Sequence, residues 1–355
     1  MHKVLIHPAE YANIQTAVQK AFEAFQPDLK GKSVLLKPNV LRASKPEEGI
    51  TTHPALLAAV LEQVESLGPA RIVVGDNPGL MDYGANEKSF QSSGLLEVAG
   101  KYYQNLGESS CKMEFNPDFL PEVSVSSQVL QADYIISLPK FKTHGLTVLT
   151  GAIKNSYGIL PGALKAQLHK AAGSPERFHQ AVVDVFRLRI PDLFIMDAVL
   201  GMEGNGPASK DLRHIGLVLA SDNAVALDGV MAYMMGLDPG RLPFLQRAKE
   251  LGLGEFEPGK LECLGELQVL PDYKIPPLGG EATLQDPGVQ DLIQRRVSVK
   301  PQVDESLCTS CGSCVEQCPA DALHMEQELP QVVVDSCIAC FCCQEICPEK
   351  AIALS

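Results

Sequence analysis

The last fifty-five residues hold one cysteine run twice, Cys308-x2-Cys311-x2-Cys314-x3-Cys318-Pro319 and Cys337-x2-Cys340-x2-Cys343-x3-Cys347-Pro348. Each cysteine of the first run has its counterpart 29 residues on. This is the spacing of a chain carrying two [4Fe–4S] clusters. A C-x2-C-x2-C segment wraps one cluster, while the fourth cysteine, turned away by the following proline, reaches the other. The expected ligand sets are therefore crossed. Cys308, Cys311, Cys314 and Cys347 serve one cluster; Cys337, Cys340, Cys343 and Cys318 serve the second.

The repeat outlasts the cysteines: Val303-Asp304 precedes the first run as Val334-Asp335 precedes the second, and Ala322-Leu323 is answered by Ala351-Ile352. A duplicated half-domain follows. Residues 301–355 resemble the bacterial two-cluster ferredoxin domain, with all eight ligand positions filled. Paired zinc sites normally use two C-x2-C pairs or Cys/His mixtures. A disulfide framework belongs to oxidising compartments. Of the other three cysteines, Cys342 reads as a small buried hydrophobe beside a cluster, and Cys111 and Cys263 as core residues without a neighbouring base or cation to activate them.

At 355 residues the chain exceeds one small core, and an α/β body at 1–264, a proline- and glycine-rich strap at 265–300 and the cluster domain at 301–355 are expected. No apolar run approaches the roughly 18 residues that a membrane span needs, and no signal segment is visible, so a cytosolic protein is expected. Of the net charge of −13, the cluster domain carries nine Asp or Glu against one lysine. So acidic a surface steers towards basic partners, in particular a redox partner protein, and away from nucleic acid.

Apolar strand runs alternate with amphipathic stretches through the body, the pattern of a mostly parallel sheet flanked by helices. Strands are expected at Val4–Ile6, Ser33–Lys37, Arg71–Gly75, Tyr134–Leu138, Leu193–Asp197 and Ile215–Ala220. Helices are expected at Asn13–Phe25, Pro54–Leu67, Pro175–Leu188, Asp222–Met235 and Arg241–Leu251. Ligands of such sheets bind outside the carboxyl ends of the strands. Polar groups gather in those places: Lys37 and Asn39, Asp76, Lys140, Lys142 and His144, Lys154 and Asn155, Glu203 and Asn205. Several lysines at strand ends of an acidic protein suit an anionic small molecule, with the amides orienting it. Lys140, Lys154 and His144 are the candidate catalytic groups, His144 as proton donor. No phosphate-loop or dinucleotide fingerprint is present.

Lys37-Pro38-Asn39, Thr52-His53-Pro54, Pro139-Lys140-Phe141-Lys142-Thr143-His144, Gly151-Ala152-Ile153-Lys154-Asn155 and Gly201-Met202-Glu203-Gly204-Asn205-Gly206-Pro207 together resemble the domain of unknown function 362 family. The resemblance covers nearly the whole chain and implies an iron–sulfur protein of unassigned reaction, often from anaerobes. The body is also similar in style to lactate-racemase-like proteins, with no residue-level match to their nickel-cofactor site. Three functions fit: a ferredoxin-type reductase of an anionic substrate, an electron relay that docks a partner protein, and a non-redox enzyme whose clusters sense or staple.

Overall fold

The computed structural model describes residues 1–79, 84–276 and 300–354. Its strands are β1 (Lys3–Pro8), β2 (Ser33–Pro38), β3 (Arg71–Val74), β4 (Ser110–Glu114), β5 (Glu122–Ser126), β6 (Tyr134–Leu138), β7 (Lys140–His144), β8 (Val148–Leu149), β9 (Leu193–Met202), β10 (Leu212–Ser221) and β11 (Glu262–Leu264) in the body. The cluster domain adds β12 (Pro301–Val303), β13 (Leu323–Glu326), β14 (Leu329–Val332) and β15 (Ile352–Leu354).

The main sheet runs β11-β1-β10-β9-β6-β2-β3. Its pairings β2/β3, β2/β6, β6/β9 and β1/β11 are parallel, as the alternation of strands and helices leads one to expect. β10 enters antiparallel to both β9 and β1, so the sheet is mixed. β7 continues the sheet beside the end of β9, pairing Lys140 with Asp197 and Lys142 with Met202.

Period-two side chains divide the core into two layers. Leu35, Ile135, Phe194 and Met196 point to one face, where the helices Pro175–Leu188 and Ala224–Met234 cover them. Val34, Leu36, Ile136 and Ile195 point to the other, under Ile14–Phe25 and Pro54–Ser66. Helix starts are chemically marked: His53 Nδ1 accepts from Ala55 N, Ser174 Oγ from Arg177 N and Asn223 Oδ1 from Ala226 N.

Three expectations need correction. Lys140–His144 is a fully buried strand and not a loop. The strand expected to stop at Asp197 runs on to Met202, because β10 pairs along its whole length. Cys111 is exposed on the β4/β5 hairpin, outside the core. Within the expected strap, Leu270 N donates to Met234 O and Tyr273 OH to Met202 O, so its first part lies on the body. The remainder, 277–299, lies outside the described residues.

The duplication in the cluster domain reaches the backbone. Ser310 and Ala339, Gly312 and Phe341, and Asp321 and Lys350 all take positive φ, each pair at the 29-residue offset. Ala322 N donates to Cys318 Sγ and, in the other half, Ala351 N to Cys347 Sγ, at 3.2 and 3.3 Å. The second half docks on the body. Gln344 Nε2 donates to Asn205 O at 2.6 Å, Lys350 Nζ to Ser209 O at 3.1 Å, and Phe341 is buried in the body's core.

Candidate active site between the body and the cluster domain

The floor of the site is a lattice of buried polar groups at the carboxyl ends of β2 and β6. Lys37 Nζ lies 2.8 Å from Asp76 Oδ1 and donates to Asn155 O at 2.6 Å. Asp76 Oδ2 accepts from Val40 N, and Asn155 bonds both Asn39 and Ser137. Asn155 closes the five-residue helix Gly151–Asn155, which also carries Lys154. So short a helix is marginal alone. Asp228, accepting from Ala152 N and Ile153 N, holds its first turn, and burial raises that carboxyl to about 7 against the opposing pull of the two N–H groups.

Above this floor a cavity opens towards the cluster domain. The body contributes Asn39, Asp76, Lys142, His144, Thr150, Lys154, Asn155, Lys165 and His169; the cluster domain contributes Gln317, Cys342, Glu345 and Ile346. Lys142 Nζ donates to Ile50 O at 2.7 Å. Lys165 Nζ donates to Pro78 O at 2.7 Å and to Asn77 O. Lys154 is half-buried, its ammonium 5.6 Å from the centre of the Tyr157 ring. Among the described residues, Asn39 Oδ1, Thr150 Oγ1 and His169 Nδ1 are buried without a hydrogen-bond partner, the condition of a wall built to receive a polar ligand.

Burial dominates the electrostatics. It lowers Lys37, Lys142 and Lys154, and brings Lys165 to about 7 although Asp76 opposes the shift. Burial, helped by the Lys154 charge, takes His144 to about 4; burial takes His169 to about 3. His144 Nδ1 accepts from Leu146 N at 3.0 Å, so its proton sits on Nε2, 2.9 Å from Glu345 Oε1. Burial would raise Glu345, but His144 and Lys154 outweigh it and hold the carboxylate below its usual range. Burial thus favours the neutral imidazole, with its Nε2–H turned to Glu345.

Lys37, Asn39, Asp76, Lys142, His144, Lys154 and Asn155 thus meet at one place. Four sequence candidates do not line the cavity: Lys37 lies beneath it in the floor, and three lie elsewhere. Lys140 is buried in a 2.7 Å pair with Asp197, donating also to Tyr11 OH, which stacks on His53. Glu203 pairs with Arg213 at 3.2 Å, and Asn205 gives its carbonyl to Gln344. Sequence reading missed Lys165 and His169, which lie four apart on the helix Leu164–Ala172 and there resemble a solvated face. It also missed Glu345, one of nine acids in its domain. Cys342, read as a hydrophobe, lines the cavity.

The eight run cysteines line two further cavities, four to each. Cys308, Cys311, Cys314 and Cys347 surround one; Cys318, Cys337, Cys340 and Cys343 surround the other. Among the described residues no three His, Cys, Asp or Glu side chains converge on a point that would hold a single metal ion. Four thiols spread round a space fit a cuboidal cluster, which takes one thiolate at each iron, better than a lone ion. The N–H donors of Ala322 and Ala351 to cysteine sulfur belong to the same chemistry.

An α/β body joined to a dicluster iron–sulfur domain is the class that this architecture defines, and the family model described as 4Fe-4S dicluster domain matches residues 300–348. The chain belongs to the family described as domain of unknown function (DUF362), whose model matches residues 34–233. A thylakoid-associated protein of Synechocystis sp. is 33% identical over 225 residues, which are 63% of this chain and 69% of that protein. Two solved structures align at a TM-score of 0.41: a Thermotoga maritima protein, 13% identical over 69% of this chain, and the lactate racemase apoprotein of Thermoanaerobacterium thermosaccharolyticum, 12% identical over 65%. The chain spans 59% and 56% of those two proteins.

Proposed function

We propose that the protein is a ferredoxin-type oxidoreductase that reduces an anionic small molecule held between the body and the cluster domain. The observation that carries this reading is the cavity itself, walled by Lys142, Lys154 and Lys165 on one side and by Cys342 and Glu345 on the other. A relay serving only a partner protein has no use for an enclosed polar chamber.

Cys308, Cys311, Cys314 and Cys347 would hold one [4Fe–4S] cluster and Cys318, Cys337, Cys340 and Cys343 the other. When bound, the clusters supply electrons one at a time. The body does the rest. Lys154, with its ammonium turned to the cavity, and Lys142 attract the anion; Asn39 and Asn155, locked by their mutual hydrogen bond, orient it. The Nε2–H of His144, directed at Glu345, fixes that carboxylate at the edge of the chamber. Lys165, poised near neutrality, is suited to hand over a proton and recover it from solvent. Burial keeps bulk water from competing for these donors.

The test is anaerobic. Reduced holoprotein, freed of excess reductant, is mixed with pooled anionic metabolites while cluster absorbance is followed. Reoxidation that Lys154→Ala abolishes is expected; equal rates in both proteins, or none, would turn the assignment to a relay. A cytosolic location is part of the same proposal. Among the described residues no helix is long and apolar enough to cross a membrane.

A further inference from the structure

The two cysteine-lined cavities have the same ligand chemistry and different surroundings. The wall of the first, around Cys308, Cys311, Cys314 and Cys347, includes the exposed residues Thr309, Ser310, Cys311, Met325 and Glu349. Among the described residues, none lining the second, around Cys318, Cys337, Cys340 and Cys343, is exposed. Ala339 and Phe341, beside the second, are part of the body's hydrophobic core. Between two of its cysteines in the sequence lies Cys342, which lines the lysine chamber together with Lys154 and Tyr157. The first cavity shares no lining residue with the chamber, although Ile346, next to Cys347 in the sequence, lines the chamber.

We infer that the cluster domain is a one-way electron path. The position of Cys308, Cys311, Cys314 and Cys347 receives electrons at the surface from an external one-electron carrier, and the position of Cys318, Cys337, Cys340 and Cys343 delivers them to the chamber past Cys342. Asp304, Glu305 and Glu349 are exposed around the receiving side, so the carrier presents a basic face. The balance closes: two reduced carriers are oxidised for each two-electron reduction of the bound anion, with protons drawn from solvent through Lys165. The inference rests on the cluster assignment in the proposed function and deepens it by naming the partner class and the direction.

The test is a redox titration of the full-length holoprotein, followed by electron paramagnetic resonance with no anion added. Absence of an anionic substrate would sink the proposed reductase without altering this result. Removing a polar S–H group or a cation beside a cluster makes that couple more negative; removing a nearby carboxylate makes its couple more positive. Cys342→Ala and Lys154→Gln are expected to lower the same single couple, and Glu349→Gln to raise the other. Cys342→Val, which also removes the polar S–H, replaces the alanine variant if iron content falls. Cys342→Ala and Lys154→Gln acting on different couples, on both couples equally or on neither would overturn the inference, as would Glu349→Gln acting on the couple that Cys342→Ala moves.

Discussion

Glu345 of the cluster domain stands 2.9 Å from His144 Nε2 of the body, and both side chains are buried. The carboxylate also faces Lys154, whose charge lowers it, so one acid from the small domain balances the basic wall of the large one. Glu345→Ala leaves that wall without its counter-charge, and a loss of about 3 kcal/mol is expected, the range for breaking a buried pair. Glu345→Gln keeps the shape and a hydrogen-bonding group, and should cost about 1 kcal/mol. Denaturant midpoints of the three proteins decide this; equal losses would mean that charge plays no part in docking.

Lys140 and Lys154, two lysines of the same strand-end group, should respond differently to substitution. Lys140→Met strands Asp197 in a fully buried position, at a cost of about 3–5 kcal/mol. The double variant Lys140→Met, Asp197→Leu should recover much of it, since apolar replacement of a whole buried pair is often neutral. Lys154→Met should leave stability within about 1 kcal/mol while abolishing anion binding, because its ammonium has cavity and ring neighbours and, among the described residues, no carboxylate within bridging distance. Paired thermal melts and anion titrations separate the two.

Lys165 sets the pH dependence. Its amine, brought to about 7 first of all by burial, is charged below that pH and neutral above it. Uptake of oxalate, whose carboxylates stay ionised throughout, should weaken as pH rises from 6 to 8, by about tenfold if one ion contact is lost. Lys165→Arg keeps its charge and should flatten the profile. Calorimetric titrations at several pH values measure it, and an unchanged slope in the arginine variant would assign the effect to another group.

Gly158 lies over the Lys37–Asp76 pair. A Cβ at this position would stand 2.1 Å from Asp76 Oδ1 and 2.8 Å from Lys37 Nζ. Gly158→Ala must push the two apart in a packed interior and should destabilise by about 3 kcal/mol. A hydrogen-exchange measurement should find the loss of protection centred on Val40, whose N–H is held by Asp76.

Five of the six expected strands and all five expected helices of the body could be read to within a few residues wherever an apolar run or an amphipathic period was clear, as in Tyr134–Leu138 and Pro175–Leu188. β7 could not. Its Lys-Phe-Lys-Thr-His sequence has polar side chains turned inwards, against the usual association of polar residues with solvent. Strand direction was equally hidden, since periodicity carries no information on whether β10 runs with β9 or against it. At the site, residues adjacent to strand ends were visible because sheet geometry says where they go. Glu345 and His169 were not: their place depends on which face of one part docks on the other, and neither has a local pattern that announces it.

The chamber wall is drawn from two stretches of chain more than a hundred residues apart, with Asn39 to Pro207 on one side and Gln317 to Ile346 on the other. Neither part encloses the space by itself. Were the cluster domain to lift away, Lys154 and Lys165 would regain water, their amines would return towards ordinary basicity, and the pocket would become an open groove in which lysines and solutes meet as they do in bulk solution. The unusual chemistry of these side chains is thus a property of the joint, present while the two parts are seated and gone before either has unfolded.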